Sequence, residues 1–311
     1  MPIYIRHLPG VASKIIDEKI IPPNNVFFNP SIAWPMLYVR RIEYLKAKEV
    51  NSVFLYNLEN QKNSIIHSPM HMLEKNVNLF TGIEDLRICW YKDRLWFSGT
   101  CTHVSPNMTS ELLVGYFNKE LSAVEKLSHV DIGSFPVKNV CPFVVGDDLL
   151  LFDIFKNAIY KCTEVYEICT DTTSANTANT TKTPEPKWLK FSATKIKSLA
   201  PAPGLSIDGF RGSTSPVHLH GNTYGVIVHD IIFNDQAALI TRLSYLHIWM
   251  EFDVVSGIVT FVSTPFWVAH WGIEYVSGFM IKDNMVTLFM GVNDQTAASY
   301  ITTIYDLRVG K

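Results

Sequence analysis

An all-β fold closed into a ring is what this 311-residue chain predicts. Three observations carry the prediction. Short β-branched and aromatic runs dominate, split by tight turns: YKDR at 91–94, VGDD at 145–148, HGN at 220–222 and KDN at 282–284. Helical periodicity is nearly absent; only around Val11 to Ile21 does the pattern allow a helical turn or two. Finally, one pattern recurs: a polar mouth, an apolar strand, a tight turn, a second apolar strand and a polar exit.

The recurrent segments read GIEDLRICWYKDRLWFSGTCTH, KNVCPFVVGDDLLLFDIF, FRGSTSPVHLHGNTYGVIVHD and GIEYVSGFMIKDNMVTLFMGVND. An earlier copy, FNPSIAWPMLYVRRIEY, compresses its turn around Pro35. The copies begin near residues 29, 82, 138, 210 and 272, at intervals of 53, 56, 72 and 62. The longest interval holds residues 170–186, TDTTSANTANTTKTPEP, whose polar, proline-terminated composition reads as a flexible surface insertion. Without it the interval falls to about 55, a period that suits four-stranded propeller blades. Radial closure also protects the sheet edges. The expectation is a five-bladed β-propeller forming one domain over residues 1–311. A pair of β-sandwiches with accidentally similar hairpins is the bland alternative, and the in-register recurrence of the mouths weighs against it.

Composition narrows the function. With 47% hydrophobic residues the chain can build a large core. A net charge of -2 with no charged block gives no basic footprint for nucleic acid. The stretch MPIYIRHLPGVASKIIDEKI carries charges throughout, so neither a signal peptide nor a membrane span is expected, and the protein reads as cytoplasmic. Five scattered cysteines without a CxxC read as reduced, packed thiols. No G-x-S-x-G elbow, P-loop or dinucleotide fingerprint occurs, which sets aside serine hydrolases and NTPases.

In a ring the polar mouths converge on one end of the central channel. They bring acids (Glu43, Glu84, Asp85, Asp208, Glu274, Asp294) and bases (Arg40 or Arg41, Arg87, Lys138, Arg211). With them come Asn29, Asn139, His229, Tyr245 and His247. Burying such a set without a task is costly. The chemistry that wants this mixture is transfer at an anomeric carbon. A carboxyl group moves the proton at the bridging oxygen, other polar groups hold the sugar hydroxyls, and cations hold a phosphate.

The mouths resemble the five-bladed propellers of glycoside hydrolase family 130, the mannoside phosphorylases, and their glycosyltransferase relatives. The family's G-x-E-D-P-R appears as Gly82-Ile83-Glu84-Asp85-Leu86-Arg87, and its N-P-S/A-I as Asn29-Pro30-Ser31-Ile32, followed by an arginine strand from Tyr38 to Glu43. The transferase branch carries E-K-N-W-x-P-F, R-G-G/S-S, H-E, Y-x-H-R and I-E-F-x-x-G-L. These are similar to Lys138–Phe143, Arg211-Gly212-Ser213, His229-Asp230, Tyr245-Leu246-His247 and Ile273–Phe279. The resemblance runs from about residue 29 to 298. It departs at Leu86, Cys141, Asp230 and Ile248, which leaves donor and acceptor open.

The resemblance implies that Asp85 is the catalytic carboxyl: a general acid in phosphorolysis, or a base toward the acceptor hydroxyl in transfer. Because strand residues alternate, only one of Glu84 and Asp85 is expected to face the channel squarely, and Arg40 is preferred over Arg41. Phosphate-type groups are expected at Arg87, Lys138, Arg211 and His229. Asn29, Arg40, Glu84, Asn139, Asp208, Tyr245, His247, Trp271 and Glu274 are expected around the sugar. The structural alternatives are a strand cap for Asp85, inter-blade salt bridges for Arg87 and Arg211, and a core position for His247. No spacing marks a metal site; a divalent cation is expected only as partner of a nucleotide-sugar diphosphate. The leading function is an inverting glycosyltransferase moving a sugar, mannose on the resemblance, from a nucleotide sugar to a glycan acceptor. The alternatives are a family-130-type phosphorylase or hydrolase, and a non-catalytic propeller that binds glycans or proteins.

Overall fold

The computed structural model describes residues 6–14, 25–45, 48–67, 80–101, 110–133, 138–167, 188–212, 214–233, 243–268, 274–293 and 295–309. The insertion at 170–186, Trp271 and Asp294 lie outside them. Each recurrent segment contains an antiparallel hairpin. The pairs are Asn25–Ala33 with Met36–Leu45, Glu84–Tyr91 with Arg94–Cys101, and Cys141–Val145 with Asp148–Asp153. Val217–His220 with Thr223–Phe233 and Glu274–Lys282 with Met285–Val292 follow. The turn chemistry is local: Lys92 and Asp93 both take positive φ (47° and 58°), the two-residue turn whose twist matches flanking strands.

Four hairpins grow into four-stranded blades. Blade I adds Lys48–Asn57 and Asn63–His67, with Phe80–Thr81 as an extra parallel partner. Blade II adds Glu111–Phe117 and Val124–His129, and blade III adds Ala158–Glu167 and Trp188–Ser198. Blade IV adds Thr296–Thr303 and takes its outermost strand, Val11–Lys14, from the other end of the sequence. Val11–Lys14 is therefore strand where a helical turn was allowed; pairing to an open sheet edge overrides the local pattern.

The five-bladed expectation is corrected as well. The all-β class holds, but among the described residues four sheets, not five, have the regular blade path. The segment from residue 210 enters an eight-stranded sheet instead. One edge of Thr223–Phe233 is paired by two fragments, Arg211–Gly212 and Val217–His220, with Pro216 in the gap. The far edge of Leu243–Asp253 is paired by Ile258–Val262 and Phe266–Trp267, with Pro265 between them. Proline has no N–H to give a ladder, so each edge strand breaks there. Arg6–His7 and Ala200–Pro201 then add in parallel to the fragments.

Apolar layers between neighbouring sheets close the ring. Tyr38 and Leu55 of blade I pack with Leu86 and Phe97 of blade II. Trp96 and Val114 of blade II meet Leu151 and Phe191 of blade III. Phe143 and Phe152 meet Val226 and Phe252 of the large sheet, whose Trp249 and Phe266 meet Val276 and Leu288 of blade IV. Phe289 of blade IV returns to Phe27 and Val39 of blade I. Each fully buried large side chain contributes roughly 1.5–3 kcal/mol. The inner strands Asn25–Ala33, Glu84–Tyr91 and Cys141–Val145 touch in succession, which brings the starts of blades I to III together. Among the described residues no helix is long and apolar enough to cross a membrane.

Candidate functional site

A pocket of about 410 Å³ opens where the inner strands begin. Three polar residues reach it by the same backbone device. Asn29, Asp85 and Asn139 all have left-handed φ angles, of 49°, 51° and 59°. Asparagine and aspartate tolerate that region better than other non-glycine residues, and such strain clusters at functional sites. In blades I and II the ladder slips at the same place, between Phe28 and Ser31 and between Glu84 and Arg87. The slip breaks the alternation assumed from sequence, so Glu84 and Asp85 both line the pocket. Two glycines make room: a Cβ on Gly212 would lie 2.3 Å from the Asn139 carbonyl oxygen, and one on Gly291 would lie 2.5 Å from Asn29 Oδ1.

One wall is a carboxylate cluster held by an arginine. Arg40 Nη1 donates to Asp85 Oδ1 at 3.1 Å, and its Nη2 stands 3.6 Å from Glu84 Oε2. Arg40 Nε donates to Asn51 at 2.8 Å, and Asn29 Nδ2 donates to Asp85 Oδ1 at 2.9 Å. Burial pushes the Asp85 carboxyl up, but Arg40, Arg87 and the bond from Asn29 outweigh it and hold the group below the usual carboxylate range. Asp85 is therefore an anion at neutral pH. Arg41 faces away and bonds Ser52 and Glu43.

The rest of the lining is cationic and aromatic. Lys138 and Arg211 contribute exposed side chains to it, beside the buried His229 and the ring of Tyr245. Burial, with His247, Arg211 and Arg87 nearby, holds the His229 imidazole well below its usual range, so it is neutral. His229, Tyr245 and Tyr275 meet edge to face, with ring centroids 5.2–5.9 Å apart.

Nine residues expected from sequence line this pocket: Asn29, Arg40, Glu84, Asp85, Lys138, Asn139, Arg211, His229 and Tyr245. Four described ones do not. Arg87 is fully buried beneath it, donating to the Tyr275 hydroxyl at 2.7 Å and to backbone carbonyls. His247 and Glu274 are buried braces: Val276 N–H donates to His247 Nε2 and Val268 N–H to Glu274 Oε2, both at 3.1 Å. Asp208 is exposed on a turn with Ser206. Conversely, Phe28, Ile42, Ile231 and Tyr275 line the pocket without having been expected. Tyr275 carries no charge to mark it in the sequence, whereas its neighbour Glu274 does; the two alternate on one strand. Among the described residues no three His, Cys, Asp or Glu side chains gather to hold a metal ion. Both carboxylates lining the pocket stand beside Arg40.

The buried histidines make the fold acid-sensitive. Burial lowers His247 to about 3, against about 6.5 in the unfolded chain. The unfolded state binds the extra proton, so this stability is complete above about pH 6.5 and is lost toward about pH 3. From pH 7 to 5 the loss is roughly 2 kcal/mol for His247 alone, and His229 adds in the same direction. Urea midpoints at the two pH values measure it; equal midpoints refute it.

No protein-family model and no curated protein sequence matches the chain. Solved structures do match in fold. A mannose phosphorylase from Leishmania mexicana, in complex with a phosphate ion, superposes with a TM-score of 0.54 at 10% identity, covering 97% of this chain and 89% of that one. A GDP-Man-dependent mannosyltransferase from Leishmania mexicana gives 0.54 at 10% identity, covering 93% and 89%. A glycosyl hydrolase from Bacteroides ovatus gives 0.53 at 11% identity, covering 90% and 85%. At such identities the likeness is one of fold.

Proposed function

We propose that the chain is an inverting sugar-transfer enzyme that moves a hexose from a nucleotide sugar to the hydroxyl of a glycan acceptor. The observation that carries this reading is one pocket lined both by the Arg40-held carboxylates Glu84 and Asp85 and by the cations Lys138 and Arg211. The acceptor oxygen attacks C1 from the face opposite the diphosphate. Its proton passes to Asp85, the C1–O bond to the leaving group breaks, and that electron pair goes to the diphosphate oxygens. Lys138 and Arg211 hold the growing negative charge, and His229 offers a neutral N–H. Glu84, Asn29 and Arg40 bracket the sugar hydroxyls. The anionic state of Asp85 supports the base role, and hence transfer. Mannose is read from the motif resemblance and from the mannose-active proteins that share the fold.

Phosphorolysis is the second reading. Lys138, Arg211 and His229 suit a single inorganic phosphate, but Asp85 must then arrive protonated, against the field of Arg40 and Arg87. Calorimetric titration with GDP-mannose, GDP, inorganic phosphate and mannose 1-phosphate separates the two. Transfer predicts binding of GDP-mannose and GDP, and release of GDP when a mannoside acceptor is added. Binding of phosphate and mannose 1-phosphate without GDP favours phosphorolysis. No binding of any of the four overturns both.

A further inference from the structure

We infer that Arg87, Tyr275 and Asn139 form a positioning relay beneath the pocket, in which Arg87 never touches the ligand and Asn139 presents its amide NH2 to it. The ligand class rests on the function proposed above; the relay itself rests on contacts. Arg87 Nη2 donates to the Tyr275 hydroxyl at 2.7 Å. That hydroxyl has one proton, and Asn139 Oδ1 lies 2.7 Å away, nearer than the Gly212 carbonyl at 3.2 Å. With its oxygen turned to the Tyr275 hydroxyl below, Asn139 keeps its two N–H donors for the pocket it lines. Those groups suit an anionic or ether oxygen and select against a cation.

The chain spends a fully buried guanidinium on this arrangement. A hydroxyl receiving a hydrogen bond from a cation is a stronger donor, so Arg87 tightens the bond to Asn139. The bond in turn holds Asn139 at its left-handed φ of 59°. Tyr275 therefore acts through Asn139 as a positioning residue, and its ring packing on His229 and Tyr245 does not depend on the hydroxyl.

Tyr275→Phe, Asn139→Ala and the double variant test the relay. Affinity for GDP-mannose and for inorganic phosphate should fall about 10-fold in each single variant, and the double should be no worse than Asn139→Ala alone. Asn139→Asp keeps an acceptor for Tyr275 but removes the amide donors; it should lose phosphate affinity while keeping its melting temperature. Independently of any ligand, the 15N side-chain amide pair of Asn139, identified by its loss in Asn139→Ala, should shift and exchange several-fold faster in Tyr275→Phe. Additive losses, wild-type phosphate binding by Asn139→Asp, or an unchanged amide pair would each overturn the relay. If the wild type binds neither probe, the functional reading fails, and the amide pair still decides the relay.

Discussion

Asp85→Asn is expected to slow turnover about a thousandfold while leaving ligand affinity within a few-fold. General acid–base groups contribute 10²- to 10⁴-fold, and a thousandfold corresponds to about 4 kcal/mol in the barrier. The substitution is a clean one here. Asparagine accepts the left-handed φ of 51° that most residues resist, and it keeps an oxygen for Asn29 and Arg40. Only the charge and the proton-accepting capacity leave. Asp85→Ala would add backbone strain and take away one of the two carboxylates beside the buried Arg40 together with the oxygen it donates to, confusing chemistry with folding. The measurement is GDP release from GDP-mannose at saturating acceptor, with GDP affinity by calorimetry as the control. A variant that keeps most of its rate and its GDP affinity removes Asp85 from the chemistry.

Gly212→Ala is expected to carry the largest stability cost of the single-methyl changes at the site, about 3 kcal/mol. Its Cβ would stand 2.3 Å from the Asn139 carbonyl oxygen, with further Asn139 atoms at 3.4 Å. The oxygen belongs to main chain and cannot rotate aside, so Arg211–Gly212 and the start of blade III must separate. The same displacement disturbs the Gly212 carbonyl that faces the Tyr275 hydroxyl and moves Arg211 in the pocket lining. Urea unfolding should show the lower midpoint, and phosphate or GDP affinity should fall with it. A midpoint within experimental error of the wild type would mean that the two segments slide apart without cost, and that the pocket is looser than its contacts indicate.

Much of the site was legible in the residue order. Recurrent polar mouths pointed to Asn29, Asp85, Asn139 and His229, and the pocket brings all four together. The errors have physical causes. The recurrent mouths and the resembled segments place Arg87, His247 and Glu274 at the site, whereas in the structure each is buried and bonded to buried backbone or to Tyr275. Strict alternation was assumed, so Glu84 and Asp85 were thought to exclude each other; a bulge with one left-handed residue turns both inward. The blade count differs because the segment from residue 210 enters an eight-stranded sheet with split edges, joined by Arg6–His7 and Ala200–Pro201, which counting mouths does not reveal.

Read alone, the order of residues determined the all-β class, the hairpins and their turns, because alternation, β-branching and turn chemistry act over a few residues. Which groups reach the pocket was decided only in three dimensions. Backbone slips, prolines at sheet edges and the close approach of Gly212 and Gly291 arise between segments distant in sequence. A hydrogen bond such as that from Tyr275 to Asn139 joins residues 136 positions apart, and no local pattern encodes it.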